Sequence, residues 1–174
     1  DPRLLVVEVT EQDIREQREW PMSDQSVADL IGALQRHDPK VIGLDIYRDV
    51  PQSEGYESLA EILRESPEVV AIESLGIGID GSIPAPAAIA PEQVGFNDFV
   101  IDPDGVLRRS ILFAALGKES LYSFALRLSL QYLDGDEHPF SINKNAITIG
   151  SVDFIPLNPD SGGYDNIDAL SYQM

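Results

Sequence analysis

The alternation of strand-like and helix-like segments in the first half of the chain constrains the fold most. Short apolar runs at Leu4–Val9, Val41–Ile46 and Val69–Ile72 are rich in β-branched residues and predict buried strands. Between them, apolar residues recur at helical spacing over Val27–Leu34 and Tyr56–Leu63, which predicts two amphipathic helices. Strands separated by helices of this length form right-handed crossovers between parallel strands. We therefore predict a parallel βαβαβ first half.

The second half has the pattern of antiparallel hairpins. The most distinctive stretch is Gly95–Arg109, where Asp-Pro-Asp-Gly predicts a turn at Asp102–Gly105 between apolar runs. The flanking strands are predicted through Phe96–Ile101 and from Val106 to about Ala114. Glycine at position 105 suits a residue of positive φ.

The remaining segments complete the predicted architecture. Leu121–Tyr132 predicts an amphipathic helix, Phe140–Ile149 a second hairpin and Val152–Leu157 an edge strand. Ile167–Leu170 predicts the start of a last helix. Because 174 residues suffice for one domain with a sizeable core, we predict a single α/β domain over residues 1–174. It has a three-layer-like mixed sheet, with the parallel βαβαβ half first and the antiparallel hairpins second.

Charge and composition narrow the classes of partner. The chain carries a formal net charge of −18 and has no cysteine. An acidic surface repels phosphate backbones and anionic lipids, so we expect no nucleic-acid partner and no docking on anionic membrane surfaces. Without cysteine there is no disulfide, thiolate metal site or cysteine nucleophile. No apolar run reaches the ~18 residues that span a bilayer.

Carboxylates at the predicted strand ends are the first candidate ligand site. Glu8, Asp45 and Glu73 follow or end the three predicted parallel strands, and ligands bind at the carboxyl ends of such strands. Clustered carboxylates could hold Mg²⁺ for phosphoryl transfer or in a receiver domain. The alternative is that Asp45 caps backbone N–H groups or pairs with an arginine. Partner residues for catalysis are not evident, so the structural interpretation of Asp45 is favoured.

Other motifs do not support a cofactor or metal site. Gly76–Gly81 matches G-x-G-x-x-G, but two prolines follow it where a dinucleotide-binding helix would begin, so a loop over Ser74–Pro91 is favoured. Asp102 and Asp104 resemble the start of a calcium loop, but Val106 stands where the next oxygen ligand belongs. No recognisable catalytic constellation is present. We expect no cofactor, no metal and no catalytic activity.

The sequence resembles a CHASE domain of the second type, a family of sensory extracellular domains associated with cyclases and histidine kinases. The resemblance rests on Leu4–Thr10, the Trp20-Pro21 step, Lys40–Asp45 (K-V-I-G-L-D) and Gly95–Arg109. The family motif residues are Trp20, Pro21, Asp45, Gly95, Asn97, Asp102, Asp104, Gly105, Arg108 and Arg109. Met22-Ser23-Asp24 depart from the pattern, since the family often has a basic residue there.

The resemblance implies a non-catalytic sensor outside the cytoplasmic membrane of a bacterium. It implies a longer parent receptor, anchored by membrane segments absent from this chain and acting as a homodimer. The stimulus, a small ligand or a physical change, would be relayed to a cytoplasmic adenylate or guanylate cyclase, a kinase or a cyclic-diguanylate enzyme. The ligand is not fixed by the family. Glu8, Asp45 and Glu73, with the Ser74–Pro91 loop, are the candidate ligand cleft.

Two further hypotheses remain open. The main alternative function is a Mg²⁺-dependent phosphotransfer enzyme or receiver domain that uses Glu8, Asp45 and Glu73. A third is a structural or partner-binding module of an envelope protein. For the motif itself, we predict that Asp45, Asp102 or Asp104 pairs with Arg108 or Arg109 and holds the hairpin on the sheet, which would make these residues structural.

Overall fold

The computed structural model describes residues 1–76, 81–102, 104–116, 119–133, 138–143, 146–157 and 170–173. The helices are α1 Glu11–Gln17, α2 Asp24–Gln35, α3 Tyr56–Glu65 and α4 Phe124–Tyr132, with a short 3-10 helix at Pro91–Gln93. The strands are β1 Ile42–Leu44, β2 Val69–Glu73, β3 Val94–Phe96, β4 Arg109–Leu116, β5 Glu119–Tyr122, β6 Phe140–Ile142, β7 Ile147–Ile149, β8 Val152–Phe154 and β9 Leu170–Gln173. None of the helices in these described ranges is long and apolar enough to cross a membrane.

A parallel three-stranded sheet lies at the centre of the first half. Its order is β1-β2-β3, with Ile42 opposite Val69 and Ala71 opposite Val94. The predicted fold class is thereby confirmed, as a parallel sheet followed by antiparallel sheets. The third strand of the parallel sheet is β3, however, and not the predicted N-terminal run.

The prediction of a buried first strand at Leu4–Val9 is wrong. Residues 4–10 form no strand, and Leu4, Leu5 and Val6 are 71%, 81% and 75% exposed. Only Val9 packs against the main core. An apolar, β-branched composition predicts burial on average. A short apolar run does not, however, show whether it pairs with an edge of the sheet.

Helices α2 and α3 cover one face of the parallel sheet. Ser23 caps α2 as predicted, since its side chain accepts from the Ser26 N–H. The main core lies between these helices and the sheet; its fully or nearly fully buried members are Val27, Ala28 and Ile31 from α2, Leu59 and Leu63 from α3, and Ile42, Leu44, Val69 and Ala71 from the strands. Burial of so many aliphatic side chains is the dominant stabilising contribution to this half.

Helix α4 covers the opposite face and approaches it closely because glycines lie beneath it. A Cβ atom on Gly95 would lie 2.5 Å from Phe124 Cα, and one on Gly43 would lie 2.8 Å from Phe124 Cζ. The glycines therefore permit a helix-to-sheet contact that no other residue allows without movement. This gives the Gly95 of the family motif a packing role.

The second half forms two antiparallel sheets, β5-β4-β9 and β6-β7-β8. An isolated parallel bridge between Phe96 and Ser123 sets the end of β5 beside β3, so parallel and antiparallel strands adjoin. A smaller apolar cluster around Leu126 and Ile147 also includes Tyr122 and Phe140. Helix α4 contributes to this second cluster while also packing on the parallel sheet.

Two helix predictions in this half need correction. The helix predicted from Leu121 begins at Phe124, because the Ser123 side chain accepts from the Leu126 N–H and Leu121 belongs to β5. The last helix was predicted to start at Ile167, which lies outside the described residues. Its described end, from Leu170, is strand β9, which pairs antiparallel with β4.

Candidate functional site

The stretch Gly95–Arg109 forms a hairpin with short arms. Its arms meet at a single antiparallel bridge between Val100 and Arg109, and the Asp102 N–H donates to the Val106 carbonyl at 3.0 Å. Gly105 has φ +81°, as the turn prediction requires, and donates to the Asp102 carbonyl at 2.8 Å. Pro103, assigned to the same turn, lies outside the described residues.

The predicted arms of this hairpin are too long. Phe96 belongs to the parallel sheet, and regular pairing on the other arm begins only at Arg109. The reason is that Gly95 and Phe96 pair with β2 and lie beside α4, which leaves only the residues beyond them to form a turn. The hairpin therefore follows directly from the edge strand β3, and side-chain contacts stabilise it more than backbone pairing does.

Two arginines and two aspartates hold the turn, and we refer to Asp102, Asp104, Arg108 and Arg109 as the Asp102 cluster. The Asp102 carboxylate is fully buried; it accepts from Arg109 Nε at 2.9 Å and Nη2, and from Arg108 Nη1 at 3.2 Å. Arg108 also binds Asp104 through two parallel contacts, Nη1–Oδ1 at 2.8 Å and Nη2–Oδ2 at 2.7 Å. The predicted aspartate–arginine pairing is confirmed for Asp102 and Asp104. Asp45, the third residue named in that prediction, accepts instead from Asn97 Nδ2.

The two halves of the cluster differ in solvent exposure. The side chains of Asp102 and Arg109 are 0% and 6% exposed, whereas those of Asp104 and Arg108 are 56% and 39% exposed. Hydrogen bonding to Arg108 lowers the pKa of the Asp104 carboxyl to about 2. The buried pair, Asp102 and Arg109, is therefore the part of the cluster in which removal of one partner is most costly.

The carboxyl edge of the parallel sheet carries a small polar network. Tyr47 donates its hydroxyl to Asn97 Oδ1 at 2.6 Å, and Asn97 Nδ2 donates to Asp45 Oδ1 at 3.3 Å. The Asn97 N–H donates to the Glu73 carbonyl at 3.1 Å. Asn97 therefore connects the end of β3 to the end of β2, its neighbour, and to the residue that follows β1, which gives this motif residue a structural position. Tyr47 is a partner that the motif residues alone did not predict.

The loop after β2 is fixed by Asp98. Its carboxylate accepts from the Leu75 N–H at 2.7 Å and from Ser74 Oγ at 3.1 Å. Ser74 also forms an isolated bridge with Ile83 across the Ser74–Pro91 loop. Within that loop, Ile77 to Asp80 of the G-x-G-x-x-G match lie outside the described residues.

The three speculative ligand residues do not form one cluster among the residues that the structure describes. Asp45 is exposed at the end of β1, Glu73 is half-buried at the end of β2, and Glu8 lies on the exposed segment that forms no strand. Among the residues that the structure describes, no group of three or more histidine, aspartate or glutamate side chains could hold a metal ion. The Mg²⁺ alternative, which needs Glu8, Asp45 and Glu73 together, loses its geometric basis.

The Trp20-Pro21 step lies at the entry to α2. Its peptide bond is cis, Trp20 is 63% exposed, and the next residue, Met22, is buried in the main core. Asp24, in the first turn of α2, is 1% exposed and forms an ion pair with the buried Arg48. The sequence prediction missed this pair. A signal was present, because Asp24 precedes Val27 by three residues and so lies on the apolar stripe of α2.

Comparison with family models gives a match over nearly the whole chain. The model described as CHASE2 domain covers residues 1–173. The chain belongs to the CHASE2 domain family. CHASE2 domains are sensory, extracellular and non-catalytic, which agrees with the resemblance of Gly95–Arg109 to the family motif. Comparisons with curated proteins and with solved structures give no match.

Proposed function

We propose that this CHASE2 domain is the extracytoplasmic sensor of a bacterial transmembrane receptor and relays a stimulus to a cytoplasmic cyclase or kinase. The observation that carries the proposal is the family match over residues 1–173. The domain lies outside the membrane, and its conformational state biases the output enzyme. A stimulus can do this only if it interacts more favourably with one of two states.

The charge of the chain supports this placement. With a net charge of −18, the domain is not attracted to anionic lipid headgroups, so its attachment depends on membrane segments of the parent receptor. The Asp102 cluster serves a structural role, because its buried carboxylate is already satisfied by two arginines. The motif therefore maintains the shape of the sensor, and recognition of the stimulus belongs to other residues.

The test is the topology and output of the full parent receptor. Alkaline phosphatase fused after residue 173 is expected to be active, whereas a fluorescent protein that folds only in the cytoplasm is expected to stay dark at the same point. Deletion of residues 1–173 is expected to change the basal cyclase or kinase activity of isolated membranes. A cytoplasmic reporter pattern at this position would refute the proposal.

We further propose that the receptor acts as a homodimer, since a cyclase or kinase output acts as a dimer. The chain has no cysteine, so a single cysteine introduced at an exposed position of the domain can crosslink only with the same position of a second domain, once any cysteines elsewhere in the receptor have been replaced. Crosslinked dimers of the receptor in membranes, in a pattern that depends on position, are the expected result. A uniformly monomeric receptor would contradict this part of the proposal.

A further inference from the structure

An apolar segment near the amino end of the chain lies on the surface of the domain. The four consecutive residues Leu4–Val7 are all large and apolar, and each is more than half exposed. The segment forms no strand, and only Val9, at its end, packs against the main core. A contiguous run of exposed apolar side chains marks a surface that associates with another molecule.

Strand β1 has an open edge. The order of the parallel sheet is β1-β2-β3, and in the described part of the chain β1 pairs with β2 alone. The Ile42 N–H donates to the Glu68 carbonyl at 2.9 Å, so the backbone groups of Ile42 are directed toward β2. Because these groups alternate along a strand, the N–H and C=O of Gly43 point away from β2, and Gly43 is exposed. An open edge of this kind is a template for an added strand.

The apolar segment and the open edge carry matching charges. The segment from Arg3 to Glu8 reads R-L-L-V-V-E, and the edge from Lys40 to Asp45 reads K-V-I-G-L-D. In both, four uncharged residues separate a basic residue from an acidic one, and all four charged residues are exposed. An antiparallel arrangement places Arg3 opposite Asp45 and Glu8 opposite Lys40, whereas a parallel one places like charges together. The charges therefore favour antiparallel addition.

The same register suits the backbone and the packing at the edge. It places Leu5 opposite Gly43, so the two residues can exchange a pair of backbone hydrogen bonds. Opposed residues lie on the same face of a sheet, and on that face the nearest atoms to a Cβ built on Gly43 belong to Phe124 and Leu128 of α4. The Leu5 side chain would therefore lie beside those two side chains. Its two neighbours in the segment fall on the opposite face, the face of the main core.

We propose that the segment from Arg3 to Glu8 of one copy adds as an antiparallel strand to the β1 edge of a second copy. The exchange is reciprocal, so one two-fold axis covers both open edges and both apolar segments. The present partner of Arg3 is Asp1, in an exposed pair that is exchanged at little cost. Below the dimer Kd the segment stays exposed. Association is a property of this chain, and its use in signalling rests on the proposed homodimeric receptor.

The test is sedimentation equilibrium of the 174-residue chain and its charge-reversed variants at physiological ionic strength. The unmodified chain is expected to form a dimer in a concentration-dependent manner. Glu8→Lys and Lys40→Glu should each raise the dimer Kd by about tenfold or more, because each places like charges opposite one another at both reciprocal contacts. An equimolar mixture of the two variants should dimerise as the unmodified chain does, since each segment then meets an edge of opposite charge.

General charge repulsion gives a different result. Glu8→Lys changes the net charge from −18 to −16, so repulsion between whole domains would predict tighter association. Glu61→Lys makes the same change at an exposed position of α3 and is the matched control, which should not weaken the dimer.

Three results would overturn the proposal. They are a chain that stays monomeric up to millimolar concentration, a Glu8→Lys variant that dimerises as well as Glu61→Lys, and a variant mixture that stays monomeric. The last would mean that the segment does not exchange between copies. None of these results bears on the receptor topology test, so failure of this interface is distinguishable from failure of the sensory function.

Discussion

Asp102→Asn is the substitution that most directly tests how the hairpin is held. It removes the charge from a fully buried carboxylate that accepts from Arg109 Nε at 2.9 Å and from Arg108 Nη1 at 3.2 Å. Arg109 is only 6% exposed and would lose the negative charge of its buried partner. Loss of one partner of a buried pair costs about 3–5 kcal/mol. For a domain of this size, about 2–4 °C per kcal/mol gives a fall in Tm of roughly 6–20 °C.

The assay is thermal and urea unfolding of the chain, followed by circular dichroism. Asp104→Asn is the matched control, because Asp104 is 56% exposed and solvent screens its ion pair with Arg108, so the loss of that pair should change Tm little. The double variant Asp102→Asn/Arg109→Gln should be less destabilised than the sum of its single variants, since the two residues are in direct contact and both charges of the buried pair are removed together. If Asp102→Asn lowers Tm no more than Asp104→Asn does, the buried pair does not hold the hairpin.

Three further predictions follow from packing, pH and exposure. Gly95→Ala should destabilise the fold by about 3 kcal/mol and Gly43→Ala by about 1 kcal/mol in urea unfolding. The reason is that a Cβ atom at position 95 would clash with the backbone of α4, whereas one at position 43 would clash only with the ends of side chains. Equal costs for the two variants would refute the backbone contact. The folded-state pKa of Asp104 is depressed to about 2, so its contribution to stability is present above the unfolded value of 3.8 and is lost as pH falls toward 2. Carboxyl NMR of Arg108→Gln should show this pKa returning toward 3.8, and an unchanged value would contradict the assignment to Arg108. Leu5→Ser should change the free energy of unfolding by less than about 0.5 kcal/mol, because Leu5 is 81% exposed; a cost of several kcal/mol would restore the buried first strand.

The parts of the fold that the sequence predicted are those set by local periodicity. The apolar stripes of α2 and α3 predicted both helices and the faces they bury, because a period of 3.6 residues leaves little choice of face. Strands β1 and β2 were also predicted, from short apolar runs rich in β-branched residues. The sequence could not show that β3, Val94–Phe96, is the third parallel strand, because Phe96 was assigned to the following hairpin and a short apolar segment does not specify which strand it pairs with.

The Asp102 cluster was predictable from the sequence, because its aspartates and arginines carry opposite charges and lie on either side of one turn. Asp-Pro-Asp-Gly and the Arg108-Arg109 pair lie close together along the chain, so their pairing follows from the turn itself. The grouping of Glu8, Asp45 and Glu73 failed because it depended on the N-terminal run being a parallel strand. Once that segment lies outside the sheet, Glu8 has no reason to be near the other two carboxylates.

Asp24 shows most clearly where periodicity stops being informative. Its position on the apolar stripe of α2 means that the carboxylate must be buried, and a buried carboxylate needs a partner. The chain has 12 lysines and arginines, and the sequence offers no reason to select Arg48 among them. The partner is selected only when the loop after β1 passes the start of α2, where the Asp24 N–H donates to the Gln52 carbonyl at 2.9 Å. Helical spacing therefore identifies Asp24 as a buried charge, whereas tertiary packing determines that Arg48 is the cation that pairs with it.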